Sequence, residues 1–130
     1  MIENRTILII EDDFFISDMY RLLFMKKGYD VIVAGDGEEG LSKARSTKVD
    51  IILLDIMMPK MNGIDVLKAL RNDKSSTKDT PVFLLTNLGQ ENIIKEAFKI
   101  GAQGYLMKAN LLPQQVVTQV EDYFAEQAKK

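Results

Sequence analysis

Ile51-Ile52-Leu53-Leu54-Asp55-Ile56-Met57-Met58-Pro59-Lys60-Met61-Asn62-Gly63 sets four consecutive branched aliphatic residues ahead of a carboxylate, a proline and a glycine. The apolar run does not alternate with polar residues, so both of its faces are buried, as in a central strand of a parallel sheet. Asp55 stands where that strand ends. Pro59 stiffens the loop behind it, and Gly63 permits close backbone approach at the start of a helix. Asn62 is suited to cap that helix, with Asp65 in its first turn favourable to the helix dipole.

Working outward from Asp50–Leu54, the same strand character recurs at Thr6–Ile10, Asp30–Ala34, Pro81–Leu85 and Gly104–Met107. Helical patterns lie between and after them. Ile16, Met19, Tyr20, Leu23 and Phe24 keep helical spacing, and Lys26-Lys27-Gly28 gives a basic last turn and a glycine stop. Asp36 and Glu39 form a capping-box pattern. Ile93, Ile94, Ala97 and Phe98 make a further stripe closed by Gly101, and Val116, Val117, Val120, Tyr123 and Phe124 make the last. Asn72–Thr80 is the one polar loop, and Thr80-Pro81 restores extended backbone after it. Five strand-then-helix repeats imply a doubly wound α/β domain with a parallel sheet.

The chain has 130 residues, against roughly 150 expected per domain, so one domain is expected over 1–130. Hydrophobic residues make up 46% and charged residues 28%, which excludes wholesale disorder. No apolar run approaches the roughly 20 residues of a membrane span. The start of the chain lacks the basic head and long apolar core of a signal peptide. There is no cysteine and no histidine, so thiolate chemistry and Ser-His-Asp or Cys-His catalysis are excluded. Seventeen Lys and Arg against nineteen Asp and Glu leave a net charge of −2, without the concentrated basic face that nucleic acid requires.

In sheets of this kind, sites form beyond the carboxyl ends of the strands. Glu11-Asp12-Asp13 follows the first strand, Asp55 the third, Thr86-Asn87 the fourth and Lys108 the fifth. Two carboxylates about 4 Å apart repel by roughly 4 kcal/mol at an effective dielectric of 20. Glu11, Asp12 and Asp55 together therefore demand either a protonated carboxyl or a cation among them. Oxygen-only ligands with open positions suit Mg²⁺. Each residue also has a plainer reading. Asp13 caps the following helix beside Phe14 and Phe15, Thr86 is a strand-end hydroxyl, Lys108 is a solvated lysine, and Met57, Met58 and Met61 fill irregular core space. Their joint occurrence at the correct strand ends favours a site.

Taken together, Ile-Leu-Ile-Ile-Glu11-Asp12-Asp13, the Asp55…Pro59…Gly63 spacing, Leu-Leu-Thr86 and Gly104-Tyr105-Leu106-Met107-Lys108 resemble the CheY-like receiver domain of response regulators in two-component signalling. The resemblance covers essentially the whole chain. It implies a flavodoxin-like fold of five parallel strands in the order 2-1-3-4-5 with five helices. It implies a cytoplasmic signalling switch, not an enzyme, with Asp55 accepting a phosphoryl group from a histidine on a sensor kinase or phosphotransfer protein. Mg²⁺ would be held by Asp12, by Glu11 through water, by Asp55 and by the backbone carbonyl of Met57. Thr86 and Lys108 would each meet a phosphoryl oxygen, and Tyr105 would change rotamer with Thr86 as the switch moves. With no output domain after a last helix ending near Gln127–Lys130, signalling would pass to a downstream protein or along a phosphorelay. The last two helices and the fifth strand would form the contact face. No direct nucleic-acid partner and no membrane are expected.

Two positions depart from the family pattern. Asn87 replaces a small residue, and Ala109 replaces the proline of a cis Lys-Pro bond. A cis bond without proline costs about 2.5–4 kcal/mol, so a trans Lys108–Ala109 bond is expected. A haloacid-dehalogenase-type phosphatase would need an acid/base aspartate where Met57 stands. A degenerate receiver that binds partners without phosphorylation is the other alternative.

Overall fold

The computed structural model describes residues 5–58, 60–72, 76–87 and 89–129. In chain order the elements are β1 Thr6–Ile10, α1 Phe14–Lys26, β2 Asp30–Ala34, α2 Gly37–Ser46, β3 Ile51–Asp55, α3 Gly63–Leu70, β4 Val82–Thr86, α4 Glu91–Ile100, β5 Gly104–Met107 and α5 Pro113–Ala128. The strands form one parallel sheet in the order β2-β1-β3-β4-β5. This is the doubly wound α/β fold with strand order 2-1-3-4-5 expected from the sequence.

Period-two alternation divides the core into two layers. Leu8, Ile10, Ile52, Leu54, Val82 and Leu84 face α2, α3 and α4. Ile7, Ile9, Ile51, Leu53, Leu85 and Leu106 face α1 and α5. Ile7–Ile10 and Ile51–Leu54 are fully buried, which is why their sequence shows no alternation.

The capping residues read from the sequence do cap. Asp13 Oδ1 accepts from the N–H groups of Phe15 and Ile16, Asp36 Oδ1 from Glu39, and Asn62 Oδ1 from Asp65. Glu39 reaches back to the N–H of Gly35, one residue before the cap itself. Gly28 and Gly101 take positive φ just beyond α1 and α4, as helix-stopping glycines do.

Two strand boundaries move. β3 and β4 begin and end one residue later than expected, so Asp55 and Thr86 belong to their strands. Asp55 pairs in register with Leu85, and the ladder continues through the Ile56 N–H to the Leu85 carbonyl. Asp50 instead uses its carboxylate to accept from the Thr6 N–H. Pro81 has no N–H to give a ladder, although its carbonyl accepts from Ile52.

Arg71, the C-cap of α3, donates to the carbonyls of Gly101 and Thr77 and to Gln103 Oε1. Gln103 Oε1 also accepts from the Val82 N–H. One guanidinium thus ties the α3–β4 connection to the turn after α4. Pro59 and the middle of the polar loop 72–80 lie outside the described residues. Among the described residues no helix is long and apolar enough to cross a membrane. No peptide bond there is cis, so the Lys108–Ala109 bond is trans, as isomer cost favoured.

Candidate functional site

The sheet sets Asp55 at the carboxyl end of its central strand, with only 4% of its surface exposed. Strand alternation continues a step past β1 and β5, because Glu11 donates its N–H to Ala34 O and Lys108 donates its N–H to Thr86 O. Glu11, Asp55 and Lys108 therefore share the face of Ile9, Leu53 and Leu106. Carboxylate oxygens of Glu11, Asp12 and Asp55 all lie within 4.8 Å of one another. Glu11 and Asp55 are buried and Asp12 is exposed, so the cluster opens to solvent on the Asp12 side.

Lys108 enters this cluster. Its ammonium stands 3.1 Å from Glu11 Oε2, 3.3 Å from Glu11 Oε1 and 3.5 Å from Asp55 Oδ2, with 15% of the side chain exposed. The plain reading of a solvated lysine is therefore wrong. The reason lies in strand order, since β1, β3, β4 and β5 are consecutive neighbours and a lysine stem spans the distance.

The charges settle in two ways at once. An ammonium sits among the carboxylates, and one carboxyl favours its proton. Burial above all, then the hydrogen bond and negative charge of Asp55, push the Glu11 carboxyl up to about 8, with Lys108 offsetting only part. Burial works against the charge on Lys108, but Asp55 and Glu11 outweigh it and hold the ammonium above its ordinary value.

Gly63 shapes the floor. A Cβ there would stand 2.6 Å from Ile56 Cα and 2.7 Å from Asp55 O, and its N–H donates to Ile56 O at 2.8 Å. The start of α3 thus presses directly on the backbone that carries Asp55. On the other side, the Met57 N–H donates to Asp55 Oδ1 at 3.2 Å, which leaves Oδ2 toward Lys108.

Thr86 is fully buried, on the opposite face from Leu85, and its hydroxyl donates to Leu106 O at 3.5 Å, a long bond. Tyr105 is about half exposed on β5, its ring edge-on to Phe98 at 6.2 Å. Asn87 is exposed and its N–H is closed by Gln90 Oε1 at 2.7 Å. The three methionines do not behave alike. Met58 is buried and Met61 packs against the core, but Met57 is 57% exposed, so core filling does not describe it.

The donor set fits a hard divalent cation. Two oxygens ligating one Mg²⁺ at 2.0–2.1 Å stand at most roughly 4 Å apart, close to the spread of this cluster. An exposed Asp12 leaves room for retained waters.

The family model described as the response regulator receiver domain matches residues 7–121. The chain is 39% identical over 105 residues to the alkaline phosphatase synthesis transcriptional regulatory protein PhoP of Bacillus subtilis, covering 81% of this chain and 42% of PhoP. It is 34% identical over 117 residues to the DNA-binding response regulator MtrA of Mycolicibacterium paratuberculosis, covering 90% of this chain and 50% of MtrA. Among solved structures, chemotaxis protein CheY4 of Vibrio cholerae superposes with a TM-score of 0.83 at 30% identity, covering 92% of this chain and 98% of CheY4. The chain thus spans about half the length of the curated relatives it matches or less.

These relatives correct the expectation that no nucleic acid is a direct partner, because MtrA is named as DNA-binding and PhoP as a transcriptional regulator. That expectation rested on a net charge of −2 over 130 residues. A charge balance reaches no further than the residues it counts, and in these relatives the matched region is half the protein or less.

Proposed function

Because the chain belongs to the response regulator receiver domain family, as the match over residues 7–121 shows, we propose that it is a Mg²⁺-dependent phosphoacceptor switch acting through Asp55. The observation that carries this reading is the buried Asp55 carboxylate held against both the acidic cluster and the Lys108 ammonium. An oxygen of Asp55 attacks the phosphorus of a phosphohistidine on a kinase or phosphotransfer protein. The P–N bond breaks, an acyl phosphate forms, and the imidazole leaves with a proton from solvent. Phosphoryl transfer needs positioning and charge neutralisation more than covalent machinery. Asp12, Asp55, the Met57 carbonyl and, through water, Glu11 would hold a divalent cation, which would supply charge neutralisation at the phosphoryl oxygens. Lys108 shifts from its carboxylate partners to one of those oxygens, and Thr86 exchanges its long bond to Leu106 O for another. Tyr105 follows Thr86.

Residues 1–130 read as one receiver domain of a cytoplasmic signalling protein whose only chemistry is on its own aspartate. The exposed Met57, where a phosphatase of the aspartate-nucleophile type needs an acid/base carboxylate, supports that reading. The names of PhoP and MtrA support an output in gene regulation. The test is intact-mass analysis after incubation with a small phosphodonor and Mg²⁺. One added phosphoryl group is expected on the native chain and none on Asp55→Asn; equal labelling of both would overturn the assignment.

A further inference from the structure

The parallel ladder between β3 and β4 stops one rung short. Ile52 donates its N–H to Pro81 O, and Ile56 donates to Leu85 O. The next rung would carry the Asn87 N–H to the carbonyl of Ile56, the residue after Asp55. That carbonyl instead accepts from the Gly63 N–H at 2.8 Å. The Asn87 N–H closes on its own segment of chain, where Gln90 Oε1 accepts from it at 2.7 Å. Gly89, at φ 84, supplies the reversal that brings the Gln90 side chain back within three residues. Helix α4, which follows, begins with no side-chain cap.

A plain turn closure of the same kind stands ahead of α5, where Gln115 Oε1 accepts from the Leu112 N–H at 2.7 Å. Asn87 differs in its place. It lies one residue past Thr86, at the end of the strand paired with the one that carries Asp55. The other donors at this rim also have protein acceptors. The Lys108 ammonium is 3.1 Å from Glu11, the Met57 N–H 3.2 Å from Asp55 Oδ1, and the Thr86 hydroxyl 3.5 Å from Leu106 O. The bond from Asn87 to Gln90 is the shortest of the four. A phosphoryl group brings three strong acceptor oxygens, and they must draw donors from this set.

We infer that Gln90 is a positioning residue that restrains phosphoryl uptake by Asp55, an inference that rests on the phosphoacceptor role proposed above. Its carboxamide holds the Asn87 N–H while Asp55 is unmodified and yields that donor to a phosphoryl oxygen afterwards. Release costs what the hydrogen bond is worth, so the residue at position 90 sets how readily Asp55 is labelled.

Two variants at this partly exposed position separate holding from packing. Gln90→Met keeps the length of the side chain but removes the oxygen, whereas Gln90→Glu keeps an oxygen acceptor. Intact mass follows uptake from a small phosphodonor at saturating Mg²⁺. Gln90→Met should label about three- to tenfold faster than the native chain, the range a single ordinary hydrogen bond covers. Gln90→Glu should label no faster than the native chain. Amide exchange at Asn87, read by NMR, follows the bond itself. In the unmodified state the amide should be protected in the native chain and in Gln90→Glu, and unprotected in Gln90→Met. After phosphorylation all three should protect it alike. Thermal melts check that each variant folds. Native-rate labelling of Gln90→Met would overturn the inference and leave the phosphoacceptor role standing. Equal Asn87 exchange in the unmodified native chain and Gln90→Met would do the same. A native chain that takes up no phosphoryl group would overturn that role, and the inference with it.

Discussion

Lys108 and Glu11, 97 positions apart in the chain, meet in a hydrogen bond of 3.1 Å, and the same ammonium reaches Asp55 at 3.5 Å. The lysine that the phosphoryl group is expected to meet thus already has partners. In this structure it supplies positive charge among the carboxylates; the proposed phosphorylation of Asp55 would require it to change partner. Three consequences of this arrangement, and one of the packing beneath it, can be measured.

Glu11 should make the metal-free protein less stable as pH rises. Its folded value is raised from 4.5 to about 8, so between those limits the folded chain holds a proton that the unfolded chain has released. The stability from this group is fully present below about pH 4.5 and is lost as pH climbs through about 8. Urea melts without divalent metal should show stability falling by an amount on the order of a few kcal/mol across that window. Glu11→Gln should flatten the slope. An unchanged slope in that variant would place its origin elsewhere.

Lys108 competes with a divalent cation for the same oxygens. Lys108→Ala should therefore destabilise the metal-free protein by roughly 3 kcal/mol, as removing one partner of a buried pair does. It should also bind Mg²⁺ several-fold more tightly than the native chain. Isothermal titration and thermal melts measure both, and weaker Mg²⁺ binding in Lys108→Ala would contradict the competition.

Asp12 and Asp13 are adjacent but should behave oppositely. Asp12 belongs to the acidic cluster, whereas Asp13 caps α1. Asp12→Ala should lose most Mg²⁺ affinity while relieving repulsion in the metal-free state. Asp13→Ala should keep the affinity but lower stability by about 1 kcal/mol through the lost cap. Equal loss of affinity in both would show the cluster to be misassigned.

Gly63→Ala should strain the backbone under Asp55. The added Cβ meets Ile56 Cα at 2.6 Å and Asp55 O at 2.7 Å, and both are main-chain atoms that cannot turn aside. A cost of roughly 1–3 kcal/mol is expected, together with slower phosphorylation of Asp55 by a small donor. Melting temperature and labelling rate check it; native values of both would show that the floor yields freely.

Much of the fold was legible because the chain repeats one unit. Ile7–Ile10 and Ile51–Leu54 show no alternation because both faces are buried, and that gave the parallel sheet. The caps at Asp13, Asp36 and Asn62 were local and were read correctly. Acidic residues at the ends of β1 and β3 were legible as a cluster for the same reason. What escaped was tertiary. The partners of Lys108 depend on which strands are neighbours and how far a side chain reaches, and neither is written in local pattern. The ends of β3 and β4 shifted by one residue because pairing with the adjacent strand, not apolar character, decides where a ladder stops. On α1 helical spacing grouped Met19 with Ile16, Tyr20, Leu23 and Phe24, yet Tyr20 and Phe24 are buried while Met19 is exposed, because only the packed neighbours decide which edge of a stripe is covered.

The guanidinium of Arg71 has a mechanical meaning. It clamps Gly101, immediately past the last residue of α4, while at the opposite end Gln90 gives the helix no side-chain cap and spends its carbonyl oxygen on Asn87. Helix α4 is held like a cantilever, clamped by a side chain at one end and without a side-chain cap at the other. Its ten residues span about 15 Å, so a tilt of about 10° carries the uncapped end through roughly 2–3 Å while the clamp stays still. That uncapped end adjoins Asn87, next to Thr86, so a displacement at the strand terminus would act on the tip of the beam, where the least force gives the largest sweep.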